Sequence, residues 1–168
     1  VGVGEGCPRL RSCVGAVAGS ECVGRNSPRR VAGYDVGGCG IEGDCGACTV
    51  LIGRISSGVL TYQSLNACIC LVPTLDASHV VTVETLNKVG NNLHPVQKAM
   101  VAANASQCGF CTPGIVMSMF AMFKNNKNIN NELINESLSG NLCRCTGYRP
   151  IIDAAKSLNY LSRHDHFD

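Results

Sequence analysis

Four cysteines fall in two short loops: Cys108 and Cys111 in QCGFCTPG, and Cys143 and Cys145 in GNLCRCTGYRP. A deprotonated thiol is a nucleophile and a soft metal ligand. Pairs spaced C-x2-C and C-x-C disfavour a disulfide within the pair, yet two thiolates from one short loop chelate a metal well. A [2Fe–2S] cluster needs four thiolates, two on each iron. A structural zinc site gathers four on one ion. C-x2-C is a common zinc half-site and C-x-C a less usual one, so the spacing favours iron–sulfur and leaves zinc open. Gly109, Gly140 and Gly147 let the backbone come close to sulfur. Each pair also lies beside an expected helix start, whose N–H groups and partial positive charge favour thiolate over thiol.

A second set is less regular. Gly37 to Val50 reads GGCGIEGDCGACTV and holds Cys39, Cys45 and Cys48, with Cys68 further on. The spacing is C-x5-C-x2-C, against C-x4-C-x2-C for a plant-type iron–sulfur loop. Cys45, Cys48 and Cys68 stand at ligand positions relative to one another. Cys39 is one residue early and is the candidate fourth ligand, since a Gly-flanked loop can absorb an extra residue. Cys70 reads as packing, because a buried free thiol behaves as a small hydrophobe.

The composition narrows the classes. The chain has 168 residues, a formal charge of +2, twelve cysteines and no Trp. That length supports one good core or two small ones. Without a basic stripe interleaved with aromatics, a nucleic-acid partner is not expected, and no apolar run approaches the roughly 20 residues of a membrane span. Arg29-Arg30 has no apolar h-region after it, so it is not read as an export signal. His79, His94, His164 and His166 show no metal spacing with the cysteines, and His94 before Pro95 reads as structural. No Ser/His/Asp set, paired-carboxylate site or phosphate loop stands out. The residues suit moving electrons rather than making bonds.

The elements that must position these thiols follow from periodicity and breakers. Residues 1–36 lack Lys, Ile, Phe, Thr and Gln and show no sustained period, so no fold is assigned to them. Residues 37–86 read as a small β-rich domain. It has runs at Thr49–Gly53 and Val59–Tyr62 around a Ser56-Ser57-Gly58 turn, a strand-like run at Ala67–Val72, and a strand at Val80–Glu84. Residues 87–160 read as four helices, with 87–92 as a linker. The first starts at Pro95, the second at a Thr112 N-cap with Pro113 next and a buried Ile115–Phe123 face. The third is capped by Asn130 or Asn131 and stopped by Gly140, and the fourth opens at Arg149-Pro150. Residues 161–168 are a polar tail or the start of a linker to a further domain.

LHPVQ, SQCGFCTPGIVMSM and SGNLCRCTGYRPI closely resemble the iron–sulfur portion of molybdenum hydroxylases of the xanthine dehydrogenase and aldehyde oxidase branch. EGDCGACTV and NACICLVPTLD are similar to that family's first cluster loop. The resemblance covers about residues 41 to 160. It implies an α+β fold: a plant-ferredoxin-like β-grasp domain, incomplete at its N-terminus, then a four-helix [2Fe–2S]-binding domain. It implies two [2Fe–2S] clusters, the first on Cys39, Cys45, Cys48 and Cys68, the second on Cys108, Cys111, Cys143 and Cys145. Gln107 and Cys145 would touch a pterin, although Gln107 read by itself is an ordinary loop residue.

The resemblance further implies that a purine or related heterocycle or aldehyde is hydroxylated at a molybdopterin-bound molybdenum on another domain or subunit. Electrons would pass through the helical-domain cluster, then the ferredoxin-type cluster, to FAD on a further domain or subunit, and the protein would be cytoplasmic. The chain would then be the N-terminal piece of a longer one. A free-standing ferredoxin-like carrier and a zinc-binding interaction module are the competing classes. Two departures stand against the family pattern. Residues 1–36 lack its opening hairpin, strand and helix, and its first cysteine falls at the place of Gly40. Residues 1 to about 40 are therefore expected not to be the family's native segment, but a frame-shifted or misassembled translation.

Overall fold

A computed structural model describes residues 30–31, 34–35, 42–87 and 93–161. The first pair of elements is minimal: β1 (Arg30–Val31) runs antiparallel to β2 (Tyr34–Asp35). Cys7, Cys13, Cys22 and Cys39, the proposed seam near residue 40 and the 162–168 tail lie outside the described residues.

The next three strands form one antiparallel sheet in the order β4-β3-β5, from β3 (Thr49–Ser56), β4 (Val59–Asn66) and β5 (His79–Val81). Ser57 and Gly58 make the β3–β4 turn with φ of +51° and +78°. Two positive-φ residues give the turn whose twist matches the strands. Both strands run further than their β-rich cores suggest because Gly53 is no break. It lies opposite Tyr62, where an added Cβ would come within 2.9 Å of the ring. The glycine makes room for the aromatic.

Two expected strands are corrected. Ala67–Val72 is not extended: Ala67–Ile69 and Val72–Leu75 are 3-10 turns. Ala67 N–H ends the ladder on Cys48 C=O (3.2 Å), Cys70 N–H folds back on Ala67 C=O (3.2 Å), and Pro73 has no N–H to offer a neighbour. The strand expected at Val80–Glu84 starts at His79 and stops at Val81. Thr85 then returns both its N–H (3.0 Å) and its hydroxyl (2.5 Å) to Thr82 C=O, and Val83–Asn87 becomes a 3-10 turn.

The helices are α1 (Pro95–Ala102), α2 (Thr112–Asn125), α3 (Asn131–Leu138) and α4 (Arg149–Ser157). Helix α2 is central: every residue from Pro113 to Phe123 is buried. It packs on β3 and β4 on one side and on α1 and α3 on the other, while α4 closes against α1 and α3. The N-cap of α2 is Cys111 rather than Thr112, which is already helical. His94 has the structural role expected of it. Its Nδ1 accepts from Val96 N–H (3.2 Å), Gln97 Oε1 accepts from its N–H (2.9 Å), and its ring meets Phe120 edge-on at 4.8 Å.

One core joins sheet and helices, running from Leu51, Tyr62, Val81 and Leu86 to Phe120, Phe123, Ile134 and Ile151. The other face of β3 sends Val50 and Ile52 into a smaller core with Cys48, Ala67 and Leu75. No helix among the described residues is long and apolar enough to cross a membrane.

Gly114 fixes how closely α2 meets the sheet side. A Cβ there would collide with the carbonyl oxygen of Gly46 and sit 3.2 Å from Ala47 Cα, whereas one at Gly140 would meet nothing within 4 Å. Gly114→Ala should therefore lower stability by about 1–3 kcal/mol, and Gly140→Ala should be near neutral, as read by thermal melting.

His79 offers a pH test, because burial lowers its pKa below the ordinary 6.5. Its Nε2 is buried without a hydrogen-bond partner. The unfolded chain therefore takes up this proton first, and the contribution is present above about pH 6.5 and lost as pH falls. The melting temperature should drop between about pH 7.5 and pH 5, and His79→Phe should flatten that drop.

Candidate metal centres

The helical unit brings its four thiols to one end. Cys111 caps α2, Cys108 precedes it, and Cys143 and Cys145 lie in the loop before α4. Gly109 turns the first loop at φ +84° and Gly147 the second at +65°. Tyr148, at +65°, is the left-handed N-cap of α4. Its hydroxyl accepts from Cys143 N–H (2.8 Å) and donates to Asn141 C=O (3.1 Å), which repays the strained backbone and closes the loop around Cys143.

The sulfurs come in two pairs. Cys145 Sγ lies 3.5 Å from Cys108 Sγ, and the Cys111 and Cys143 thiols lie near enough to shift each other's pKa. Two thiolates on one tetrahedral metal at about 2.3 Å stand roughly 3.8 Å apart, whereas a disulfide needs about 2.05 Å. All eight cysteines among the described residues are free thiols. Among those residues no three His, Cys, Asp or Glu side chains surround one point as a single ion requires.

Each pair holds one acidic and one reluctant thiol. The Cys108 pKa is lowered by the N–H of Phe110 and by the Cys145 thiol, and that of Cys145 is raised by sharing its proton with Cys108. Burial pushes Cys111 up to about 12, aided by its bond to Cys143. Burial also acts to raise Cys143, yet hydrogen bonds from Thr146, the backbone N–H of Cys145 and the Cys111 thiol bring it down to about 7. Thr146 Oγ1 stands 3.0 Å from the Cys143 sulfur. A metal cation in place of the thiol protons would fit each pair. Two pairs suit two metals, as in a [2Fe–2S] diamond.

The first set is partly assembled. Cys48 is buried, its pKa pushed up to about 11 by that burial, and it receives the N–H of Cys68 on its sulfur at 3.4 Å. Cys45 lies near enough to act on the Cys48 charge. Cys39 is outside the described residues. Cys70 sits at the edge of the smaller core with its sulfur toward Leu71 C=O (3.8 Å) and Thr74 Oγ1 (3.6 Å). Gln107 is exposed beside the exposed Cys108 and Cys145. His164 and His166 lie outside the described residues.

The two sets adjoin. Leu142 N–H donates to Cys45 C=O at 2.9 Å, and Leu142 is the residue before Cys143. Sequence reading missed Asn141, Thr146 and Tyr148, which hold this loop. A hydroxyl one residue after a C-x-C pair was the one local signal available, at Thr146.

Known proteins resemble this chain in both sequence and fold. A family profile described as "[2Fe-2S] binding domain" matches residues 82–156. Xanthine dehydrogenase of Emericella nidulans is 49% identical over 122 residues, covering 71% of this chain and 9% of that protein. Aldehyde oxidase 1 of Cavia porcellus is 47% identical over the same length, again covering 71% and 9%. The structure matches quinoline 2-oxidoreductase of Pseudomonas putida 86 with a TM-score of 0.61 at 32% identity, covering 80% of this chain and 82% of that one. The fold is thus that of the iron–sulfur region of molybdenum hydroxylases. Within that class, the chain is a member of the xanthine dehydrogenase and aldehyde oxidase family, and it spans about 9% of the length of the curated relatives it matches.

Ligand assignment can be checked by substitution. Cys70→Ser should leave the iron content of the purified chain unchanged, while Cys68→Ser should lower it; equal losses would remove the distinction drawn between the two.

Proposed function

We propose that this chain is the electron-relay part of a molybdenum hydroxylase, taking electrons from a molybdopterin-bound molybdenum on a partner domain or subunit and delivering them to FAD on another. The substrate hydroxylated there would be a purine or a related heterocycle or aldehyde. When bound, each [2Fe–2S] cluster supplies one-electron capacity. The observation that carries this reading is the gathering of Cys108, Cys111, Cys143 and Cys145 at one end of the helical unit, with the Cys108 and Cys145 sulfurs 3.5 Å apart.

The chain's own residues give the relay a direction. Cys108 and Cys145 are exposed, which leaves the outer pair open to a pterin, with Gln107 and Cys145 as its contacts. On the inner side, Cys45 C=O and Leu142 N–H join the two loops by one hydrogen bond. The sheet β4-β3-β5 with the Cys45–Cys48 loop is read as the remaining part of a ferredoxin-like β-grasp domain, followed by the helical domain. Cys45, Cys48 and Cys68 would hold the first cluster, with Cys39 as the fourth ligand.

Electron paramagnetic resonance of the reduced, iron-loaded chain tests this. Two distinct rhombic signals are expected, and Cys145→Ser should remove one and spare the other. A colourless, zinc-containing protein would sink the proposal. A single signal that Cys145→Ser abolishes would remove the first cluster and Cys39 with it.

A further inference from the structure

Asn141 stands where the two cysteine loops meet, 4% exposed. Its Nδ2 donates to Gly46 C=O (3.0 Å) and to Thr49 Oγ1 (3.2 Å), and its Oδ1 accepts from Ser118 Oγ (2.7 Å). Its backbone carbonyl takes the Tyr148 hydroxyl (3.1 Å), the same hydroxyl that holds Cys143 N–H. A buried amide is costly unless its hydrogen bonds are made. Here the amide's partners tie the Cys45–Thr49 loop to α2. The reverse amide orientation would set two carbonyl oxygens against each other. The backbone leaves no slack: a Cβ on Gly46 would collide with Gly140 C=O and lie 2.6 Å from Asn141 Nδ2, and one on Gly114 would collide with Gly46 C=O.

We infer that Asn141 is a positioning residue that latches the Cys45–Cys48 loop to the Cys143–Cys145 loop and so sets the separation of the two proposed clusters. Its effect on the clusters rests on the two-cluster reading above; the latch itself does not. An apolar side chain of similar size would fill the space and leave Gly46 C=O with one donor fewer. The fixed quantity is a distance, so removing the latch should alter coupling between the centres before it alters either centre.

The test is Asn141→Leu in the full chain, which keeps the approximate size and removes both donations. Amide exchange read by mass spectrometry should quicken in peptides spanning 45–49 and 141–143, through loss of Leu142 N–H protection, and stay unchanged in α1. In the iron-loaded, reduced protein both resonance signals should persist while the spin–spin splitting between them is lost. Exchange that is unchanged, or that quickens equally throughout the helical unit, overturns the latch. Splitting identical to wild type overturns the spacing role. If Asn141→Leu does not fold, Asn141→Ala, which removes the amide altogether, carries the same two readouts. A wild-type chain with one resonance signal would count against the two-cluster reading, and with it the spacing role, while the exchange data still decide the latch.

Discussion

The carbonyl of Gly46 takes the N–H of Thr49 at 3.1 Å, its hydroxyl at 2.6 Å and the Asn141 amide at 3.0 Å, and it lies against the bare Cα of Gly114. The loop carrying Cys45 and Cys48 is thereby seated on the first turn of α2. That same turn is capped by Cys111. Strand β3 leaves this loop at once and is buried on both faces from Thr49 to Gly53, so sheet and helices are placed relative to one another from this contact outward. A side chain at either glycine would push the two cysteine loops apart.

Thiol chemistry sets the second constraint. Four sulfurs at the end of a helical unit repel as thiolates and waste their ligand capacity as thiols. Pairing a thiol of lowered pKa with one of raised pKa makes one proton of each pair easier to give up than the other. Thr146 and the N–H groups of Phe110 and Cys145 lower the acidic member; burial raises Cys111. Loading then exchanges protons for metal, and the hydrogen-bond donors already in place can remain to hold the anionic cluster.

How much of this was legible in the sequence depended on range. Prolines at 95, 113 and 150 and the Asn130 cap announce the helices because their effects act within one turn. The cysteine pairs announce a metal because both members lie within a few residues. The run at 67–72 misled because strand propensity there loses to Cys48, which takes Ala67 N–H on its carbonyl and Cys68 N–H on its sulfur. Asn141 was invisible, as its decisive partner lies 95 residues away. Gly46 and Gly114 could be read as loop and helix residues, but not as the two sides of one contact.

Helix α2 carries a last consequence. Its buried length faces the sheet on one side and the other helices on the other, and the main core draws on both. The two cysteine-bearing halves therefore share a single cooperative folding unit and are not beads on a string. Severed near residues 88–92, the helical half would present Phe120 and its neighbours to water, and the strands would lose the helix that roofs them. Inheritance or engineering of this region must move both halves together as one cassette.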